Sequence, residues 1–122
     1  MSIDGDDIGH KIARSYIEND EEKLTRINQD LNQILSQLSK YLKTLGFEII
    51  FCAADGIACK GNYIEINDFT QYIKSIGEPY YTFSVGIGNS LQSAFFSLKY
   101  AKASGKNKVV MCGEGEVFRV MH

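Results

Sequence analysis

Apolar residues recur in steps of three and four through the first half of the chain. Leu24, Ile27, Leu31, Ile34, Leu38, Tyr41 and Leu45 form the stripe, and Leu35 and Leu42 widen it. Helices with so wide an apolar face usually lie on a sheet. The same seven-residue regularity also suits a coiled-coil seam, so the pattern leaves both readings open. Gly46 stands where a helix C-terminus takes a glycine. Upstream, Ile8, Ile12 and Tyr16 repeat every four residues and predict a helix from Asp7 to Ile17. Asn19, with Glu22 three residues on, reads as the capping box of the long helix.

Beyond Gly46 the period changes. Phe47 to Cys52 is a short apolar run too short for a helix and predicts a buried strand. Ala53-Ala54-Asp55-Gly56 is a turn, and Ile57 to Lys60 returns as the second arm of a hairpin. Asp68, with Gln71 at N3, predicts the cap of a third helix bearing Phe69, Ile73 and Ile76 and stopping at Gly77. Tyr81, Phe83, Val85 and Ile87 alternate along a strand from Tyr80 to Gly88. Ser90 then caps a helix with Leu91, Ala94, Phe95, Leu98 and Ala101 on its stripe, ended by Gly105. Lys108 to Cys112 and Val117 to Met121 predict two more strands.

With a short strand before the first turn, the order is β-α-α-β-β-α-β-α-β. A hairpin combined with helical crossovers implies an α+β fold. Its sheet is mixed but mainly antiparallel, with helices packed on it in the ferredoxin-like layout. There the first strand can lie beside the hairpin, so that Asp4 and Asp55 converge.

Composition narrows this picture. The 122 residues amount to one domain, and 44% are apolar, enough for a core. A formal charge of −2 gives no basic field for a duplex nucleic-acid partner. Cys52, Cys59 and Cys112 miss the usual zinc spacings and read as buried thiols in a reducing compartment. No apolar run approaches the ~18 residues of a membrane helix, and the acidic start is unlike a signal peptide. The expectation is a cytoplasmic protein with no membrane partner. His10 and His122 have no evident partner and receive no role.

The candidate chemistry lies in two acidic turns, Ile3-Asp4-Gly5-Asp6-Asp7-Ile8-Gly9 and Ala53-Ala54-Asp55-Gly56. Helix N-terminal amides attract phosphate, and nearby carboxylates hold the magnesium that accompanies it. Joining two nucleotides is mostly positioning and charge compensation, which two metal-holding acids on rigid elements can supply. Asp4 and Asp55 are the candidate pair. Gly5 lets the backbone approach phosphate, and the amides of Asp6, Asp7, Ile8 and Gly9 would face a triphosphate. Asp6 is a candidate for a second metal, and Asp7 for a helix cap. Against this, an aspartate before a helix is commonly an N-cap, and aspartate-glycine in a hairpin is commonly turn chemistry. Lys102 and Lys106 flank the end of the last helix. They read either as a phosphate clamp or as lysines favoured by a helix C-terminus.

Phe83-Ser84-Val85-Gly86-Ile87-Gly88, followed by a helix closing Ala101-Lys102-Ala103-Ser104-Gly105-Lys106-Asn107, resembles the last segment of GGDEF-type diguanylate cyclases. Ile3-Asp4-Gly5-Asp6 falls where that family has its first metal-binding acid. Ala53-Ala54-Asp55-Gly56-Ile57 falls on its signature hairpin. Among relatives, the Asp-Gly-Asp-Asp-Ile-Gly opening is most similar to the minimal CRISPR polymerases, stand-alone palm domains. That resemblance implies a palm-type enzyme making a cyclic dinucleotide, ATP favoured, in anti-phage defence. It implies Mg2+, or Mn2+, on Asp4, Asp55 and the Gly5 carbonyl, and phosphate on Lys102 and Lys106. Lys106 stands where the cyclases have arginine, and an ammonium cannot make the bidentate contact of a guanidinium.

Two alanines replace the paired glycines of the signature, and Gly56 replaces its second acid. Only Ser15 and Asn19 stand near the position of the guanine-contacting asparagine, which weakens a guanosine substrate. One domain of this size holding one nucleotide implies a homodimer for a two-nucleotide product. The rival expectation is a catalytically degenerate palm that binds nucleotide and signals through a partner.

Overall fold

The computed structural model describes residues 1–113 and 117–121. His122 lies outside them. The elements run β1 (Ser2–Gly5), α1 (Ile8–Ile17), α2 (Glu21–Thr44), β2 (Glu48–Ala53), β3 (Gly56–Lys60), α3 (Ile66–Ile76), β4 (Phe83–Ile87), α4 (Leu91–Ala103), β5 (Val109–Cys112) and β6 (Phe118–Val120). The sheet order is β2-β3-β1-β4-β5-β6. Among the described residues only β4 and β5 pair in parallel, so the sheet is mixed and mainly antiparallel. The expected α+β fold with helices on a mixed sheet is the observed one.

The stripe of α2 faces the sheet, which decides against the coiled-coil reading. Ile27, Leu31, Ile34, Leu35, Leu38 and Leu42 share one core with Ile3, Ile57, Cys59, Phe69, Ile73, Phe83 and Val85. Burying side chains of this size contributes roughly 1.5–3 kcal/mol each before entropy is subtracted. At the C-terminus of α2 the amide of Gly46 donates to the Lys43 carbonyl and that of Phe47 to the Leu42 carbonyl, both at 3.0 Å. Gly46 has φ +86, the left-handed turn that a glycine makes without strain.

Strand alternation sends Phe83 and Val85 into that core and Ser84 and Gly86 to the other face, where α4 lies. A Cβ on Gly86 would fall 2.1 Å from the Ala94 carbonyl oxygen and 2.3 Å from the Leu98 nitrogen. The bare backbone of β4 is therefore what lets α4 pack so closely, and that closeness brings Lys102 to the end of β1.

Several local expectations need correction. Asp20, not Asn19, caps α2, its side chain accepting from the Lys23 amide at 3.0 Å. Glu65 rather than Asp68 caps α3, accepting from the Asn67 amide. Ser90 caps α4 as expected, and Ser93 returns the bond in a capping box. Tyr16 is exposed rather than part of the α1 face, and Leu91 and Phe95 are exposed on α4. The inner face of α4 is instead Ala94, Ser97, Leu98 and Ala101, three of them small, and the bare Gly86 opposite permits the close approach. β4 begins at Phe83, leaving Tyr80 exposed outside it. Cys59 and Cys112 are buried, but Cys52 is exposed on the edge strand β2.

The β2–β3 hairpin closes on Ala54 and Asp55 between paired Ala53 and Gly56. Ala54 sits at φ +54, where a Cβ is disfavoured by roughly 1–2 kcal/mol. Ala54→Gly is therefore expected to stabilise the protein by about 0.5–1 kcal/mol, after the greater entropy of an unfolded glycine is allowed for. Urea denaturation, showing a higher midpoint at unchanged slope, is the measurement.

Candidate functional site

β1 lies between β3 and β4, and its last residues carry the first acidic turn. Ile3 points into the core, so Asp4 points to the face covered by α4. In register, Asp4 stands opposite Gly56 on one side and Ser84 on the other. The hairpin tip folds over the end of the strand, and the Gly5 amide donates to the Asp55 carbonyl at 2.9 Å. A Cβ on Gly5 would lie 3.3 Å from both Cβ and Oδ2 of Asp55. A Cβ on Gly56 would lie 3.2 Å from Asp4 Oδ1. The fold thus brings the two acidic turns together, with Asp55 against Gly5 and Asp4 against Gly56.

Lys102 enters the same space from the last turn of α4. Its Nζ donates to the Gly5 carbonyl at 2.7 Å and to Asp6 Oδ1 at 2.8 Å, and lies 3.2 Å from Asp4 Oδ2. Lys106, at φ +66 beyond the helix, forms an ion pair with Asp7. Asp4, Asp6 and Asp7 share these two ammonium groups and Asp55 stands beside them without an ion pair of its own among the described residues, leaving an excess of negative charge. Burial, and then the charge of Asp4, push the Asp55 carboxyl above its ordinary range.

Asp6 is placed differently from the candidate second metal ligand. Its side chain is only 3% exposed and turns inward. Oδ1 accepts from Ser84 Oγ at 2.7 Å and from Lys102, and Oδ2 from Thr82 Oγ1 at 2.7 Å and the Asn107 amide at 2.9 Å. With four donors already bound, its carboxylate has little left for a metal. The Asp6 amide is also engaged, donating to the Thr82 carbonyl at 2.9 Å, so the amides open to a phosphate reduce to those of Asp7, Ile8 and Gly9. Asp7 does occupy the N-cap position of α1, at φ 59, yet its carboxylate makes no cap bond and goes to Lys106 instead.

Two concavities border this cluster. One, of about 870 Å³, lies between α1 and α2 beside the hairpin tip and is lined by Ile8, Gly9, Ile12, Tyr16, Ile27, Asn28, Leu31, Asn32 and Asp55, among others. Apolar walls with two amides four residues apart suit a planar polar ring. Asn28 and Asn32 were not singled out from the sequence. The signal was present, as two amides one helical turn apart beside an apolar stripe. The other, of about 790 Å³, lies along the opposite flank of α1. It is lined by Asp7, His10, Lys11, Arg14, Lys23, Arg26, Asp30, Tyr80 and Tyr81, among others. There the Tyr81 hydroxyl donates to Asp30 at 2.9 Å, and burial together with that carboxylate pushes its pKa up to about 12. Ser15, near the expected base-contacting region, is buried and donates to the Lys11 carbonyl, and Asn19 sits in the α1–α2 turn at φ +54.

The donor set fits a hard divalent ion. Asp4 and Asp55 offer carboxylate oxygens, Gly5 a carbonyl, and a cation, the Lys102 ammonium, already rests against two of these groups. Among the described residues, however, no three His, Cys, Asp or Glu side chains form a metal-holding group. Any bound ion would complete its shell with phosphate or water oxygens.

The mixed sheet, its helices and this turn-borne cluster define a palm-like domain. The chain belongs to the family described as mCpol, minimal CRISPR polymerase domain, which it matches over residues 1–112. That membership makes it a CRISPR-polymerase-related palm and points to nucleotidyltransferase-type chemistry. No curated protein and no solved structure matches the chain. No helix among the described residues is long and apolar enough to cross a membrane.

The bonds of Asp6 outweigh its burial, which by itself raises the pKa, and hold the carboxyl below its ordinary 3.8. A depressed acid contributes stability that is fully present above 3.8 and is lost as pH falls through the lower folded value. Asp6→Asn removes the charge and cannot accept all four bonds. It is expected to cost about 2–4 kcal/mol at neutral pH, and less once the acid range is entered. Denaturant titrations of both proteins across that range measure this, and equal stability throughout would contradict it.

Proposed function

We propose that this chain is a magnesium-dependent nucleotidyltransferase that converts ATP to a cyclic dinucleotide signal in anti-phage defence. The reading rests on family membership and on one observation: Asp55 on the hairpin tip lies against Gly5, and Asp4 on β1 lies against Gly56, so two separate turns bring their carboxylates to one end of the sheet. Those three groups would hold Mg2+, or Mn2+, which when bound supplies charge compensation for the α-phosphate and the departing pyrophosphate. The amides of Asp7, Ile8 and Gly9 face the phosphates from the N-terminus of α1, where the helix dipole favours anions. Lys102 and Lys106 hold phosphate oxygens as point charges. The cavity between α1 and α2 takes the base, with Asn28 and Asn32 as its polar groups. A ribose hydroxyl of each nucleotide attacks the α-phosphate of the other, so two phosphodiester bonds form as two bonds to pyrophosphate break in line with them, and the two hydroxyl protons pass to water. No side chain forms a covalent intermediate. The second nucleotide is presented by a second copy of the chain facing the first.

One observation favours a second reading, a palm that binds nucleotide and signals through a partner without turning it over. Only two carboxylates converge, since Gly56 replaces an acid and Asp6 is consumed by its neighbours.

Purified protein incubated with ATP and Mg2+ is expected to yield a cyclic dinucleotide and pyrophosphate by mass spectrometry. Asp55→Asn is expected to reduce synthesis by roughly 100-fold or more while the fold is retained. Calorimetric nucleotide binding with no product after long incubation would select the second reading. Full activity in Asp55→Asn would remove the metal assignment.

A further inference from the structure

The Lys102 ammonium rests where a metal would touch the protein. Its Nζ lies 2.7 Å from the Gly5 carbonyl oxygen and 3.2 Å from Asp4 Oδ2. Both groups belong to the set that the proposed function assigns to magnesium, and the role inferred for Lys102 rests on that assignment. An ammonium and a divalent ion drawn to the same carbonyl and carboxylate compete for their lone pairs. They would repel one another at a few ångströms, and each would strip the other of ligands. The third contact of Lys102 differs in kind. Asp6 Oδ1, 2.8 Å away, belongs to a carboxylate fixed by Ser84, Thr82 and the Asn107 amide, and is not a ligand in the proposed set.

We propose that Lys102 is an exchangeable internal cation. In the nucleotide-free protein its ammonium neutralises the end of β1 and keeps free divalent metal out. When a nucleotide arrives, its phosphate oxygens draw the ammonium away from Asp4 and Gly5, and the metal enters with the phosphates. Asp6 is the pivot of this movement. An ammonium has three donors, so Lys102 can keep its bond to Asp6 while redirecting the other two. Lys102 is thus a positioning residue that couples metal entry to nucleotide entry. The device prevents a bare metal ion from occupying a site that has no substrate to act on.

The test is Mn2+ affinity, read by electron paramagnetic resonance at fixed neutral pH. Wild type and Lys102→Met are compared with and without a non-hydrolysable ATP analogue. Without nucleotide, Lys102→Met is expected to bind Mn2+ roughly tenfold more tightly or better, because one positive charge near the ion has gone. With the analogue, the advantage should vanish or reverse. A purely structural lysine predicts the opposite, a loosened cage and weaker binding. Equal or weaker nucleotide-free affinity in the folded variant overturns the exchange while leaving the metal reading intact. Mn2+ binding by neither protein, even with the analogue, overturns both. If circular dichroism shows that Lys102→Met is unfolded, Lys102→Gln, which keeps a polar end without charge, is expected to show the same gain, and its failure to do so counts equally.

Discussion

The site end of the molecule depends on the buried carboxylate of Asp6. It joins four segments: the turn after β1 that carries it, the start of β4 through Thr82 and Ser84, the last turn of α4 through Lys102, and the loop beyond through the Asn107 amide. A carboxylate taken out of water is costly unless its lone pairs are used. Here each oxygen receives two donors, and the Lys102 ammonium is the charged one among them. The backbone repeats the link, since the Asp6 amide reaches the Thr82 carbonyl. Because those segments are tied at one atom group, Asp4 on one side and Lys102 on the other acquire fixed positions relative to the hairpin tip.

Much of the scaffold was legible because its causes are local. The α2 stripe, the Gly46 stop, the Ser90 cap and the alternation of Phe83 and Val85 follow from periods and cap chemistry that act within a few residues. Where the structure departs from these local signals, contacts between elements decide. Asn19 and Asp20 are both good caps, and tertiary placement selected Asp20, leaving Asn19 at φ +54. Phe95 fits a helical stripe by spacing, yet the close approach of α4 to Gly86 puts Ala94, Ser97, Leu98 and Ala101 on the inner face. Large aromatic side chains were therefore turned outward, a result that no period along α4 alone could reveal.

The site was legible in outline for a different reason. Aspartate-glycine turns at two strand ends mark where a mixed sheet places its loops, and the β1–β3 register then brings Asp4 opposite Gly56. The role of Asp6 was not legible. Its partners lie 76 to 101 residues away in sequence, and nothing in an isolated aspartate shows whether it faces solvent or four donors. Lys102 had the same ambiguity: a lysine near a helix C-terminus satisfies the dipole whether or not it reaches a carboxylate.

The absence of an acid at position 56 is better understood from geometry than from the hairpin signature. A Cβ there would stand 3.2 Å from both Asp4 Oδ1 and the Ile3 carbonyl oxygen, so a side chain would require both to give by a few tenths of an ångström. The backbone oxygen belongs to a paired strand and yields little. Asp4 would have to turn, and its present position is the one that meets Lys102 at 3.2 Å. A further carboxylate would also add a like charge to a cluster in which Asp4 already raises the pKa of Asp55. Gly56, Asp4 and Lys102 are in this sense one arrangement: the bare position leaves room for Asp4, and Asp4 in that room holds the ammonium. Two acids beside one ammonium are a self-consistent solution for this backbone.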